Sequence, residues 1–351
     1  MSESDKISQA LDEALREYVF SGYQLVASHK GQLDSWSGGI TSYWPEGVPV
    51  TSSTLFDLGS ITKVFLTTSV IARAVERGEL SLESTVGQCV PELSQSPYSA
   101  ITLTDLLCHA SGLAAWKPMY HEIQGADLLG WFLSHSEVIE SVPHQKSVYS
   151  DLNFWLLGII LEKQLGHLPS LLEDEILKPL KIKSVSFGPV SRAISAATEY
   201  SHELSRLIHG EVFDENCRAL GGVAGHAGLF GSAESVGIWA MEWLKASLGQ
   251  SKWLKQKTAQ KFTSRSYLVP HSHWAVGWDT PSEPNSTSGH FFSPASFGAL
   301  GYPGCSVWVD PRIEAFVVLL TNRVHPSRYD DRIKRFRPTI HDALVNLWET
   351  K

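Results

Sequence analysis

The stretch LGSITKVF (residues 58–65) places Ser60 and Lys63 three residues apart at the start of an apolar segment. Residues i and i+3 share one face of a helix, so the lysine amine can lie over the serine hydroxyl and accept its proton. Apolar residues continue at helical intervals to Val75, and Gly78 supplies a stop. The stretch therefore predicts a long core helix with a nucleophile and its base in the first turn.

The composition is that of a globular protein large enough for two lobes. Of the 351 residues, 43% are hydrophobic and 19% are charged. The formal net charge of −8 argues against nucleic acid as a partner, because a phosphate backbone requires a basic surface. The basic cluster Arg332, Lys334, Arg335 and Arg337 is interpreted as the solvated start of a helix.

The N-terminus is polar and lacks the apolar segment of a signal peptide, and no membrane span is predicted, so we expect a cytoplasmic protein. No cofactor or metal is expected either. The chain has four widely spaced cysteines without histidines at ligand intervals. These predicted buried thiols are Cys89, Cys108, Cys217 and Cys305.

Strand patterns lie at both ends of the chain and helical patterns lie between them. The final helix is predicted to begin near Pro338, which suits a first helical position. We expect an α/β (α+β) fold with a discontinuous sheet domain, residues 1–80 and 230–351, and a mainly helical domain, residues 81–229. The predicted strands are residues 23–29, 33–40, 274–279, 305–309 and 314–321.

Four segments, in this order, resemble the serine β-lactamase and penicillin-binding-protein superfamily. The closest types are class C β-lactamases, D-alanyl-D-alanine carboxypeptidases and family VIII esterases. The resemblance implies an antiparallel sheet flanked by terminal helices, an all-helical lobe, and a site in the groove between them. The segments are residues 56–78, 101–113 (ITLTDLLCHASGL), 148–158 (VYSDLNFWLLG) and 297–311 (FGALGYPGCSVWVDP).

The resemblance implies acyl transfer through a covalent intermediate. Ser60 would attack a carbonyl, Lys63 would accept the serine proton, and Tyr149 would relay protons to the leaving group and then activate water. The backbone N–H groups of Ser60 and Tyr302 would form the oxyanion hole. Structural roles are the alternative: Ser60 as a helix cap, Lys63 as a solvated residue and Tyr149 as a packed loop residue.

Two positions depart from the family pattern. Ala299-Leu300-Gly301 lacks the Lys or His that would hold a substrate carboxylate, and Asp151 replaces the usual Asn. Losing that cation is expected to weaken anionic substrates about ten- to hundredfold. A carboxylate about 5 Å from Lys63 is expected to raise the lysine pKa by about two, which makes a poorer base.

Two hypotheses follow from this pattern. The first is a serine hydrolase acting on neutral, small-molecule esters or amides, or on muropeptide-like substrates. The second is a degenerate member of the superfamily that binds a peptidoglycan fragment or another ligand without turnover. If the site does contain a further cation, His226 and His290 are the candidates, with a loop or core role as the alternative for both.

Overall fold

A computed structural model of the protein describes residues 3–45, 47–123, 127–282 and 284–349. Its strands are β1 (Gly22–His29), β2 (Gln32–Gly39), β3 (Phe56–Asp57), β4 (Val185–Phe187), β5 (Ala197–Ser201), β6 (Arg206–His209), β7 (Leu229–Gly231), β8 (Phe297–Gly301), β9 (Cys305–Asp310) and β10 (Ala315–Thr321).

The helices of the same ranges are α1 (Glu3–Arg16), α2 (Ser69–Arg77), α3 (Val86–Cys89), α4 (Leu103–Leu107), α5 (Leu128–Ser134), α6 (Asp151–Gln164), α7 (Leu168–Leu172), α8 (Lys178–Leu180), α9 (Glu215–Ala219), α10 (Ala233–Ser247), α11 (Gln256–Thr263) and α12 (Ile333–Glu349). Two π-helical segments are Lys63–Thr68 and Glu173–Leu177. Short 3-10 turns are Pro91–Leu93, Met119–His121, Ser136–Val138 and Arg192–Ile194.

An antiparallel sheet joins the two ends of the chain, in the order β2-β1-β10-β9-β8. Tyr23 of β1 lies opposite Thr321 of β10, and Val318 of β10 lies opposite Val307 of β9. Every residue of β10 is buried, because its AFVVLLT run is apolar on both faces and both faces are covered. The α/β fold and the assembly of one sheet from distant segments are confirmed.

Helices cover both faces of this sheet. The terminal helices α1 and α12 pack on one face, where Leu11 and Leu344 join Leu25 in one apolar cluster. The next residue of β1, Val26, points to the opposite face and belongs to the larger core with Trp239 of α10. The alternation along β1 therefore separates two cores. The division into domains at residues 80 and 230 stays a prediction.

The helix predicted after Ser60 is confirmed. It continues through the π-helical segment into α2 and ends at Gly78, whose φ of 75° is the left-handed conformation of a helix stop. The hairpin of β1 and β2 is also confirmed. All four cysteines are free and buried, as expected.

Two predicted elements are wrong. The last helix begins at Ile333, and Pro338 lies inside it, where its missing N–H leaves a gap in the backbone hydrogen bonds of the helix. Residues 274–279 do not form a strand, since the chain turns at Gly277 and pairs only through isolated bridges, Trp274 with Asp279 and Asp279 with Gly298. Within the described ranges, no helix combines the length and apolarity needed to cross a bilayer.

Candidate active site

Ser60 lies half-buried where the chain leaves β3 and enters the buried helix. The buried Asp57 carboxylate in β3 accepts the N–H of Gly59 at 2.8 Å and that of Phe213 at 2.6 Å. Burial raises the pKa of Asp57 to about 6, although both backbone hydrogen bonds oppose that rise. Asp57 therefore ties the Ser60 turn to a neighbouring loop, a support that the sequence analysis did not identify.

Lys63 lies one turn after Ser60 and is 3% exposed. Its Nζ donates to Ser60 Oγ at 2.8 Å, to Tyr149 Oη at 2.8 Å and to Asp151 Oδ1 at 2.6 Å. An ammonium group has three N–H donors, so these acceptors use all of them. Burial lowers the pKa of Lys63, but the charges of Asp151 and Tyr149 and the hydrogen bonds to both outweigh it, so the pKa is raised.

Tyr149 and Asp151 owe their positions to the start of α6. The side chain of Ser150 caps this helix by accepting the N–H of Asn153 at 3.3 Å. Asp151 is the first residue of the helix and its own N–H donates to Ala115 O at 2.9 Å. Because Ser150 caps the helix, the Tyr149 phenol and the Asp151 carboxylate are both free to face Lys63. The carboxylate lies 2.6 Å from Lys63 Nζ, closer than the expected 5 Å.

The fourth segment, residues 297–311, reaches the site through close backbone approaches at two glycines, Gly301 and Gly59. A Cβ on Gly301 would lie 2.3 Å from Leu58 O, and a Cβ on Gly59 would lie 2.5 Å from Pro303 Cδ and 3.3 Å from Tyr302 N. The end of the edge strand β8 thus packs directly on the Ser60 turn. Among the described residues, neither the N–H of Ser60 nor that of Tyr302 donates to a protein acceptor. Both N–H groups are available to an oxyanion.

Two cavities meet at Ser60, Tyr149 and Tyr302. The first, of about 440 Å³, includes residues 299–301 of β8 in its lining and is called the β8 cavity. The second, of about 400 Å³, lies on the side of Asp151. The lining of the β8 cavity includes Lys63, His109, Trp274, Ala299, Leu300 and Gly301. The other cavity is lined by Trp116, Asp151, Phe213, Asp214, Glu215 and Arg328, among others.

His109 is a second residue that the sequence analysis missed. Its Nδ1 accepts the N–H of Ser150 at 3.1 Å and lies 3.1 Å from the amide nitrogen of Asn153. Burial, followed by the charge of Lys63, lowers the pKa of His109 well below its ordinary value. The ring is therefore neutral and carries its proton on Nε2.

His109 also shapes the aromatic wall of the site. Its ring centroid lies 4.7 Å from that of Tyr149 and 4.6 Å from that of Trp274, and Tyr149 in turn stacks on Trp274 at 5.4 Å. The signal for it was the histidine inside the segment ITLTDLLCHASGL, which the sequence analysis used only for the family resemblance. His109 adopts a left-handed φ of 53°, a conformation that is uncommon for residues other than glycine.

The two histidines considered as substitutes for the absent cation lie elsewhere. His226 is buried with its Nε2 2.9 Å from Asp214 Oδ1, and His290 is exposed with its Nδ1 2.7 Å from Asp342 Oδ2. Neither belongs to the lining of the β8 cavity. In the part of the chain that the structure describes, no group of three His, Cys, Asp or Glu side chains is arranged to hold a metal ion.

The chain is similar to known proteins over most of its length. Residues 7–338 match the family model described as "Beta-lactamase". A putative D-alanyl-D-alanine carboxypeptidase of Salmonella agona (strain SL483) is 28% identical over 309 residues, which are 78% of this chain and 71% of the relative. The N-acetylmuramyl-L-alanine amidase of Bacillus subtilis (strain 168) is 30% identical over 313 residues, 79% of this chain and 70% of the relative.

Solved structures show the same fold at lower identity. EstCE1, a hydrolase with promiscuous acyltransferase activity, superposes with a TM-score of 0.78 at 20% identity over 97% of this chain and 98% of its own. A class C beta-lactamase gives a TM-score of 0.73 at 18% identity over 98% of each chain. The extent of the family match and these similarities show that the chain belongs to the beta-lactamase family, a family of serine hydrolases.

Proposed function

We propose that this protein hydrolyses esters or amides through an acyl-enzyme formed on Ser60. One observation carries the proposal: Lys63 Nζ lies 2.8 Å from Ser60 Oγ and 2.8 Å from Tyr149 Oη, at the junction of two cavities. A serine hydroxyl is a weak nucleophile until a neighbouring group accepts its proton. The Lys63 amine is the basic group in contact with that hydroxyl.

The first half-reaction begins from an ion pair. The raised pKa keeps Lys63 as an ammonium in the resting site, so it must lose a proton before it can act as a base. That proton is lost to solvent, and the Asp151 carboxylate, 2.6 Å away, opposes its loss. Neutral Lys63 then takes the proton of Ser60 as Oγ bonds to the substrate carbonyl carbon. The N–H groups of Ser60 and Tyr302 stabilise the resulting oxyanion.

The second half-reaction returns the proton. As the tetrahedral intermediate collapses, the bond to the alcohol or amine breaks, Tyr149 donates a proton to that leaving group, and Lys63 reprotonates the phenol. Water then adds to the acyl carbon and gives a proton to Tyr149, whose own phenol proton passes at the same time to neutral Lys63. The bond to Ser60 Oγ breaks, Lys63 returns the proton to that oxygen, and the carboxylic acid leaves. The sum is substrate plus water giving acid plus alcohol or amine.

The names of the similar proteins support this reaction class. The two curated relatives are named as a carboxypeptidase and an amidase, and one structural neighbour is titled a hydrolase with acyltransferase activity. Attack by an activated serine on a carbonyl carbon serves both amides and esters. Small-molecule esters, amides and muropeptide-like amides are therefore the proposed substrates.

Trapping of the intermediate tests the proposal. After mixing with p-nitrophenyl acetate or with a fluorescent penicillin, intact-mass spectrometry is expected to show one covalent acyl group per chain. Peptide mapping is expected to place that group on the peptide that contains Ser60. An acyl group on another residue, or ester turnover together with an unmodified Ser60 peptide under rapid quenching, would contradict the assignment.

The ion pair between Lys63 and Asp151 favours a second candidate, a protein that binds its ligand without turnover. A lysine that stays protonated cannot accept the serine proton. This candidate predicts saturable binding of the penicillin with no covalent adduct and no release of p-nitrophenol. The same mass-spectrometric experiment therefore separates the two candidates.

His109 is proposed as a positioning residue for Tyr149. His109→Phe keeps an aromatic ring of similar volume but removes the acceptor of the Ser150 N–H. That buried N–H is then left without a hydrogen-bond partner, which is energetically costly. We expect kcat for p-nitrophenyl acetate to fall about tenfold with little change in KM, since about 1.4 kcal/mol of lost alignment corresponds to that factor. The exposed His290 gives the control variant, His290→Phe, for which both constants are expected to stay unchanged.

A further inference from the structure

A third cavity, of about 630 Å³, lies away from Ser60 and is called the α10 cavity. Its described lining shares no residue with the two cavities that meet at Ser60. One face of α10 runs along it, since Glu234, Ile238, Met241 and Lys245 all belong to the lining. From the first to the last of these residues the helix rises about 16 Å, at about 1.5 Å per residue. The α10 cavity is therefore elongated, with a volume typical of a small-molecule site.

Apolar side chains form the floor and part of the walls of the α10 cavity. Val26 and Phe316 of the central sheet are buried in its floor, whereas Leu33 is 56% and Ile238 is 40% exposed. A single exposed apolar side chain is ordinary on a protein surface. Two of them that line one cavity over a buried apolar floor form a surface suited to an apolar ligand.

Basic side chains outnumber acidic ones in the same lining. The chain as a whole has a formal net charge of −8, so this excess of positive charge is local. Among the described residues, Lys181 and Lys252 have no carboxylate at ion-pair distance, and Lys245 Nζ is 3.8 Å from Glu242 Oε2. Such a lining attracts a negative charge. Its four basic and two acidic residues are Arg73, Lys181, Lys245, Lys252, Glu234 and Glu242.

Three of the four basic side chains lie near the C-terminal end of α10. Lys245 is in the last turn of the helix. Trp253, which follows Lys252, has its ring centroid 5.8 Å from that of Trp243 in the same helix. The Arg73 guanidinium donates to Trp253 O and is paired with a glutamate outside the lining. The two lysines are therefore the cations available to an anion at this end.

We propose that the α10 cavity binds a long-chain fatty acid, with its alkyl chain along α10 and its carboxylate at Lys245 and Lys252. An unbranched chain that ends in one negative charge matches an elongated apolar cavity whose basic groups gather at one end. An acidic peptide fits less well, because its backbone polar groups would be buried against apolar walls without partners. The inference does not depend on the proposed hydrolase function, since the two sites have separate linings.

Calorimetric titration with matched ligands tests the chemistry of the site. Decanoate is expected to bind the wild type at one saturable site. 1-Decanol has the same chain length without the charge, and it is expected to bind about tenfold more weakly. Butanoate keeps the charge but loses six methylene groups, and it is expected to bind at least about a hundredfold more weakly. Absence of decanoate binding, or equal affinity for decanoate and 1-decanol, overturns the proposal.

A double variant tests the position of the carboxylate. Lys245→Met combined with Lys252→Met removes both charges at exposed positions, so the fold is expected to persist. Its affinity for decanoate is expected to fall about tenfold, while its affinity for 1-decanol stays unchanged. Lys257→Met removes an exposed lysine of α11 outside the lining and is expected to bind decanoate as the wild type does. Wild-type affinity for decanoate in the double variant overturns the proposal.

Ile238→Glu tests the position of the alkyl chain. Glutamate is a good helix former, and position 238 is exposed, so a melting temperature close to that of the wild type is expected. A carboxylate in the wall repels the ligand and interrupts the apolar surface, so decanoate affinity is expected to fall about a hundredfold or more. Undiminished binding in this variant would place the fatty acid elsewhere, for example at Ser60, and overturns the proposal.

Sedimentation velocity distinguishes a fatty acid from a second copy of the chain as the occupant. A monomeric wild type that binds decanoate supports the proposal. A wild-type dimer that Ile238→Glu dissociates and that does not bind decanoate would show that another copy covers the α10 cavity, and it overturns the proposal. Neither measurement uses turnover, so a failure of the hydrolase proposal leaves this test intact.

Discussion

The Ser60→Ala variant is expected to lose ester hydrolysis by about 10³-fold or more and to form no acyl adduct. Removing the nucleophile of a covalent mechanism leaves only binding and oxyanion stabilisation, which cannot replace the bond-forming oxygen. The loss is expected in kcat rather than in KM. Apart from the Ser60 hydroxyl, the residues that line both cavities are unchanged in this variant. Release of p-nitrophenol under saturating ester, together with intact-mass spectrometry, measures both parts of the prediction.

The fold of Ser60→Ala is expected to persist. Within the described residues the hydroxyl accepts from Lys63, which keeps its hydrogen bonds to Tyr149 and Asp151 after the change. Ser53→Ala, at an exposed loop position, is the control and is expected to retain full activity. A Ser60→Ala protein that keeps more than a tenth of the wild-type rate, with an unchanged melting temperature, would show that another group carries the acyl transfer.

Local patterns predicted the central sheet because they depend on neighbouring residues. The apolar run of β10 can be satisfied only between two covered faces, and the turn at Gly31 with its φ of 83° closes the hairpin. The Ser60 and Lys63 spacing is likewise local, since a single helical turn brings the two side chains together. Such features follow from the sequence without knowledge of the tertiary structure.

The rest of the site depends on contacts between distant segments. Tyr149 is 86 residues from Lys63, and no local pattern gives their 2.8 Å contact, which the order of the family segments could only imply. His109 and Asp57 act through backbone N–H groups of other loops, which leave no sequence signal. Side chains that hold a backbone in place are invisible until the fold is known.

The last helix begins earlier than the sequence predicts, and this changes the interpretation of the basic residues at its start. The sequence predicts a helix start near Pro338 and indicates that the basic cluster 332–337 is the solvated start of a helix. The helix instead begins at Ile333, which places Arg337 on a buried turn against the end of β9, with its Nη2 on Cys305 O. The interpretation is wrong for Arg337 and correct for the exposed Arg335. The earlier start of the helix thus places a buried arginine in the lining of the β8 cavity.

Asp151→Asn is expected to move the rise of kcat/KM with pH towards lower pH, by a pH difference of about one to two. The raised pKa of Lys63 means that its neutral form, the base, appears only as pH increases towards that pKa. Asparagine keeps an acceptor for the lysine but removes the negative charge. Burial, which lowers the pKa of Lys63, is then no longer offset by the charge of Asp151. The charge-assisted hydrogen bond that is lost contributes about 1.5–3 kcal/mol, which corresponds to a fall of the lysine pKa by about one to two.

At pH 7 the same substitution is expected to accelerate acylation about ten- to hundredfold, because lowering the lysine pKa by one gives about tenfold more neutral lysine. Stopped-flow acylation by p-nitrophenyl acetate between pH 5 and pH 10 measures the profile. The exposed pair Asp174 and Lys178, 2.9 Å apart, provides the control variant Asp174→Asn, which is expected to leave the profile in place. An unmoved profile in Asp151→Asn would mean that Lys63 is not the base. A fall in rate at every pH would mean that the Asp151 carboxylate is itself needed to take the proton from Lys63, and the departure from the family pattern would then be part of the catalytic machinery.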